Sequence, residues 1–189
     1  EDAVFLAHLP KGSYVSWFLP TRKLVSDVST VAQYRPEEIP ATIAAFRAMD
    51  YTDQRLYKSG LFKDAIESHF WLLENNGKSL DSVFIEMKIS IDAMMINLVK
   101  DEQKLNEVTD YLFDLLERHS LSRAAEYLAL KVLNETSCTI NSDLAKQLES
   151  YRAMKKGNIA PDIKFGNSTY LNGVKQAMFN NLTNLTTPY

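Results

Sequence analysis

Along most of the chain, apolar side chains return every three or four residues, and that spacing predicts a succession of amphipathic helices. A short apolar segment, Val4 to Leu9, leads through Pro10 to a turn at Lys11-Gly12-Ser13. From Ser13 to Tyr34 the set Val15, Phe18, Leu19, Leu24, Val25, Val28, Val31 and Ala32 keeps the helical period. Pro20 lies inside this run and has no N–H to donate. A short helix is therefore expected before Pro20, and a longer one restarting there with Pro20 in its first turn. Pro36 and Pro40 frame the next start, where Glu37 and Glu38 suit the positive end of a helix dipole. Ile39, Ile43, Phe46 and Met49 carry that helix to about Asp50. Residues 51–59 read as a polar connector anchored by Tyr51, Leu56 and Tyr57, closed off by Gly60.

Leu61, Phe62, Ala65, Ile66, His69, Phe70 and Leu73 form a broad stripe that stops at Asn75-Asn76-Gly77, a favourable C-cap. After Ser79, a plausible N-cap, the row Leu80, Phe84, Met87, Ile91, Met94 and Leu98 gives the clearest periodicity in the chain. Leu105, Val108, Leu112, Leu115 and Leu116 mark a helix from near Asp101 to His119. Leu121, Ala124, Ala125, Leu128, Val132 and Leu133 mark another almost without a linker. The turn-forming stretch 134–141 precedes a last helix carrying Leu144, Leu148, Tyr151 and Met154, which leaves through Lys155-Lys156-Gly157. No repeat period is present.

After Pro161 the pattern changes to alternation. Ile163 and Phe165 alternate with Asp162 and Lys164, Gly166-Asn167-Ser168 turns the chain, and an Asn/Thr-rich tail follows. The expected fold class is therefore mainly α, an irregular array of about six to seven helices over residues 1–156. A short extended segment in residues 157–189 belongs to a second domain.

Composition narrows the function without naming it. With 46% hydrophobic and 24% charged residues the chain has the makeup of a globular domain. The net charge is −3, and residues 60–119 hold twelve acidic against six basic side chains, a balance that disfavours a nucleic-acid partner. No apolar run approaches the roughly 18–20 residues that span a bilayer. No basic-then-apolar leader opens the sequence, which starts at Glu1 and so leaves the compartment open. Cys138 is the sole cysteine and reads as a small buried hydrophobe.

Candidate chemistry is sparse. Glu107, Asp110, Asp114 and Glu117 share one helix face, but that face is turned roughly 200° from the apolar row, so it points to solvent. It also lacks the Glu-x-x-His pairs of a di-iron bundle. His8, His69 and His119 are scattered, with none at metal-ligand spacing, and His69 falls inside an apolar stripe. Tyr14, Trp17 and Phe18 with Phe70 and Trp71 could line a ligand groove, against the plainer reading that they fill the core. Asn134, Asn167, Asn181 and Asn184 stand in N-x-Ser/Thr sequons. No catalytic residue, cofactor-binding residue or metal ligand is assigned.

The stretch Gly157-Asn158-Ile159-Ala160-Pro161-Asp162-Ile163 resembles the G-x-x-A-P-D-hydrophobic opening of thioredoxin-like domains of the TlpA/ResA and AhpC/TSA (peroxiredoxin) type. Gly173-Val174, Met178 and Leu182 follow at comparable places. The region from Leu9-Pro10-Lys11-Gly12-Ser13-Tyr14 to Leu148-Glu149-Ser150-Tyr151-Arg152 resembles the helical part that precedes such a domain in a family of Gram-negative cell-envelope proteins. The resemblance implies an exported, periplasmic or envelope-bound thiol-disulfide oxidoreductase acting in cell redox homeostasis. Its W-C-x-x-C motif would follow Tyr189, and Cys138 does not replace it. On this expectation the present chain is no enzyme. It is an accessory, partner-recognition domain for its own thioredoxin-like domain and possibly another envelope protein, without nucleic acid, cofactor or membrane span. The alternative is a free-standing helical binding or scaffold protein with no redox role.

Overall fold

The computed structural model describes residues 10, 12–135, 146 and 149, together with the backbone of 163–165, 168–171 and 174–177. The chain separates into two compact units, Glu1–Thr139 and Ile140–Tyr189. The expected boundary at Lys156 and Gly157, Cys138, His8 and the expected helix of residues 141–156, apart from Lys146 and Glu149, which are helical, lie outside the described residues.

The first unit is helical, as expected. Its described elements are α1 (Tyr14–Ser26), α2 (Val28–Tyr34), a 3₁₀ turn (Pro36–Glu38), α3 (Ile39–Arg47), α4 (Gln54–Lys58), α5 (Leu61–Glu74), α6 (Leu80–Leu98), α7 (Glu102–Arg118) and α8 (Ser122–Glu135). Several starts are set by short polar side chains that accept from otherwise unpaired backbone N–H groups. Ser13 accepts from Ser16 N at 3.2 Å, Asp53 from Arg55 N at 2.8 Å and Asp101 from Lys104 N at 3.2 Å. Gly60, between α4 and α5, has φ +78°, a left-handed conformation that strains any residue with a Cβ.

Pro20 does not divide the first helix. α1 runs through it, and the break falls at Asp27. Pro20 is exposed, so its ring is spared a clash with the core, and the turn around it is stiffened by Thr21 Oγ1 donating to the Trp17 carbonyl at 2.8 Å. The step at Asp27 has its own cause in the sequence. Val25, Val28 and Val31 recur every three residues, and a straight helix would carry the third about 120° away from the first. With the step, all three are buried. Arg35 then ties the junction by pairing with Asp27 at 3.3 Å and with Glu38 at 2.9 Å.

At the centre lies α5, which packs against α1, α2, α3, α4, α6 and α7. It buries Phe62, Ala65, Ile66, His69, Phe70, Leu72 and Leu73, more than one face of the helix. α6 buries Met87, Ile91, Met94 and Leu98 of the expected stripe, but at its start Val83 turns inward in place of Leu80, which is 83% exposed, and Phe84, which is half-buried; Ser90 and Met95 are buried as well. Ser90 can enter the core because Arg47 Nε donates to its hydroxyl at 2.9 Å. α7 and α8 bury the rows the spacing predicts: Leu105, Val108, Leu112, Leu115 and Leu116, then Ala124, Ala125, Leu128 and Val132.

In the second unit, β1 (Ile163–Phe165), β2 (Ser168–Leu171) and β3 (Val174–Ala177) form an antiparallel meander. Phe165 lies opposite Ser168 and Leu171 opposite Val174. Ser168 thus opens a strand that pairs within its own chain.

Core and rim positions on the same helix should separate cleanly. Leu98→Ala, at a fully buried site, is expected to cost about 2–5 kcal/mol in urea unfolding followed by circular dichroism, whereas Leu80→Ala should stay within about 0.5 kcal/mol of the parent.

Candidate functional site

The largest opening among the described clefts is a groove of about 600 Å³ between α1 and the stretch running from the end of α3 to α4. α1 supplies Trp17, Pro20, Thr21, Lys23 and Leu24; the facing wall supplies Ala45, Ala48, Met49, Asp50, Asp53, Arg55 and Leu56. Helical spacing puts Trp17, Pro20, Thr21 and Leu24 on one side of α1, so the floor is apolar and continuous. The facing wall is fixed from inside, where Leu56 is fully buried and Tyr51 nearly so.

One polar cluster lines the groove beside Trp17. Arg55 lies over the Trp17 ring, 4.9 Å from its centroid, and its Nη2 and Nε donate to Asp53 Oδ2 at 2.6 and 3.0 Å. The hydrogen bond from Arg55 holds the Asp53 carboxyl below its usual range. Asp50 accepts from Thr52 N and Oγ1. Two carboxylates and two cations, Lys23 and Arg55, thus leave the rim with no net charge. An apolar floor with a few fixed polar groups at the edge is the composition of a binding groove. The sequence pointed to Trp17 through its aromatic neighbours but filed Asp53 and Arg55 under a connector. The usable signal was Asp53 placed as an N-cap ahead of Arg55.

The aromatic set proposed from the sequence is divided. Tyr14 stacks on Phe18 with centroids 5.5 Å apart and lies 5.8 Å from Trp17. Phe70 is in the core. Trp71 lines a separate cleft of about 160 Å³ with Glu67, Glu74, Leu115, Arg118 and His119. There His119 Nδ1 and Glu74 Oε2 are 2.8 Å apart, and Tyr111 donates to Glu67. Burial and that bond push the Tyr111 phenol up to about 12. The carboxylates Glu107, Asp110, Asp114 and Glu117 are all exposed on α7, and no group of three or more His, Cys, Asp or Glu able to hold a metal occurs among the described residues. Asn134 is exposed at the end of α8; Asn167, Asn181 and Asn184 lie outside the described residues. No helix among the described residues is long and apolar enough to cross a membrane.

Comparison with protein-family models, with curated proteins and with solved structures finds no match to this chain.

The one imidazole buried among the described residues is structural in setting. His69 is completely buried in α5, stacked on Phe46 with centroids 5.1 Å apart. Its Nδ1 lies 3.4 Å from the Tyr51 hydroxyl, and its Nε2 has no hydrogen-bond partner among the described residues. Burial, with the Arg47 charge added, pushes it down to about 3 from 6.5. Because the folded value lies below the unfolded one, the neutral ring's contribution to stability is complete above pH 6.5 and is lost as pH falls towards 3. Its slope approaches about 1.4 kcal/mol per pH unit. The paired carboxylates Asp53, Glu86 and Asp101, held below their usual range, act at lower pH. Urea midpoints measured at pH 7 and pH 5 should therefore fall with acid in the parent and fall much less in His69→Leu. Equal slopes in the two proteins would remove His69 as the cause.

Proposed function

We propose that the helical unit is the non-catalytic, partner-recognition domain of an exported thiol-disulfide oxidoreductase of the TlpA/ResA-like kind, whose redox domain begins near Gly157 and carries its C-x-x-C motif beyond Tyr189. The observation that carries this reading is the neutral, apolar groove under Trp17 and Arg55. A protein whose disulfides are being reduced or exchanged exposes apolar segments that its folded form hides, and such a segment suits a groove with a hydrophobic floor and no net charge at its rim. The G-x-x-A-P-D stretch and the antiparallel strands of residues 163–177 support placing the start of a β-containing domain there.

In this arrangement recognition and chemistry are divided between domains. The helical unit lends binding energy at a distance from the reacting sulfurs, which acts on substrate capture and local concentration and leaves bond exchange to the redox domain's thiolate.

The 189-residue chain is expected to leave insulin disulfides intact with dithiothreitol as reductant, and a chain extended through the C-x-x-C motif to reduce them. In the extended chain, Trp17→Ala should raise KM for insulin about tenfold and leave turnover of a small aromatic disulfide unchanged. Turnover by the 189-residue chain itself would overturn the division of labour. Equal loss on both substrates would overturn the role of the groove. A coding sequence that stops after Tyr189 would favour the free-standing binding protein instead.

A further inference from the structure

The groove wall that carries Asp53 and Arg55 is held from behind by a lysine of α7. Lys104 lies in the first turn of that helix, and its Nζ donates to the carbonyl of Thr52, 52 residues away in sequence. Its side chain is only 16% exposed, low for a lysine. The ammonium also pairs with Asp101 Oδ2 at 3.3 Å and lies over the Tyr57 ring, 5.6 Å from the centroid. Tyr57 is fixed in its turn by stacking on Phe62 and by donating to the Tyr51 carbonyl at 2.9 Å. The position of the charge is therefore set by the fold.

The Thr52 carbonyl belongs to the peptide unit that places Asp53. Asp53 N donates to the Asp50 carbonyl at 3.1 Å, which closes the turn, and the extended backbone of Asp53, φ −64° and ψ 119°, lets Oδ1 accept from Arg55 N at 2.8 Å. The same carboxylate directs the Arg55 guanidinium across to Trp17. Lys104 acts on this carboxylate through its charge as well. The hydrogen bond from Arg55 is the main cause of the lowered Asp53 carboxyl, and the Lys104 charge adds to it. Burial first, then Glu107, Asp101 and Asp50, push the Tyr57 phenol up. With Asp53, these three acids make four carboxylates in the neighbourhood of Lys104 and Arg55. Without Lys104, Arg55 would be drawn from the indole towards the surplus of acids.

We propose that Lys104 is a positioning residue of the groove: by holding the Thr52 carbonyl and offsetting the surrounding carboxylates, it keeps Arg55 over Trp17. Lys104 does not itself line the groove, so it acts through Asp53 and Arg55 and touches no ligand. The proposal rests on the reading of this groove as a recognition site, and it makes the site dependent on α7 as well as on α1 and α4.

The first test uses the 189-residue chain with Trp71→Phe, in which Trp17 is the sole tryptophan and acrylamide quenching reports how far Arg55 covers its ring. Lys104→Met, which removes donor and charge but keeps the length, should raise the quenching constant about twofold, towards that of Arg55→Met, and Lys104→Arg should restore it. Added to Arg55→Met, it should change nothing further, an outcome that a lysine merely stabilising the bundle would not give. Asp101→Asn keeps a cap for α7 while loosening the lysine, and should shift quenching the same way by less; it decides the matter if Lys104→Met does not fold. Unchanged quenching in a folded variant, or additive effects of Lys104→Met and Arg55→Met, overturns the proposal. The second test uses the chain extended through the C-x-x-C motif, where Lys104→Met should raise KM for insulin about threefold, in KM rather than kcat, and have no further effect beside Trp17→Ala. If Trp17→Ala raises KM and Lys104→Met does not, the role of Lys104 falls alone. If Trp17→Ala leaves KM unchanged, the recognition reading of the groove falls, and quenching still decides whether Lys104 places Arg55.

Discussion

The fold depends on one constraint, that α5 be surrounded. Residues Leu61–Glu74 touch helices on nearly every side, and seven of these fourteen positions are buried, so every neighbour must present an apolar row to α5 or satisfy whatever polar group it brings. His69 is where the constraint is tightest. An imidazole stacked on Phe46 with a single long contact to Tyr51 is tolerated only while neutral, and that neutrality ties the centre of the bundle to pH.

Polar groups elsewhere in the interior are admitted on stricter terms. Arg47, at the end of α3, reaches across to α6, where it donates to the Ser90 hydroxyl and to both the carbonyl and the carboxylate of Glu86. This converts a would-be defect, a buried serine, into a joint between two helices. The joint sits next to the chain segment that leads from α3 into the wall of the groove, so anchoring the core and shaping the groove are not separate tasks.

Helix existence and the core faces of α5, α7 and α8 were legible because apolar and polar positions segregate there: the exposed row Glu107, Asp110, Asp114 and Glu117 leaves no choice of inward face for α7. On α6 the expected row holds for Met87, Ile91, Met94 and Leu98 and fails only in its first turns. Leu80 and Phe84 belong to a faultless periodic row, yet tertiary packing chose Val83 and Ser90 instead, and no local rule distinguishes these. Pro20 misled for a different reason, since the lost backbone bond and the crowding of its own preceding turn cost stability without ending a helix that packing holds together on both sides. The groove was half legible: Trp17 was visible as an aromatic, but Arg55 acquires its meaning only when α4 brings it over the indole.

The walls of that groove differ in how they hold together. α1 has thirteen helical residues, with one backbone bond missing at Pro20, whereas α4 has five, bounded by the Asp53 cap and the left-handed Gly60, and is secured inward by Leu56 and by Tyr57, which stacks on Phe62 and donates to the Tyr51 carbonyl. A single turn and a half of helix opens at far lower free energy than a helix packed along its length. The backbone amides of Gln54–Lys58 are thus exchangeable with solvent through excursions that leave α1 and α5 intact, and a ligand seated against Trp17 would be felt first as slower hydrogen exchange in α4. The groove thus has one bank built on a long helix and one built on a short helix.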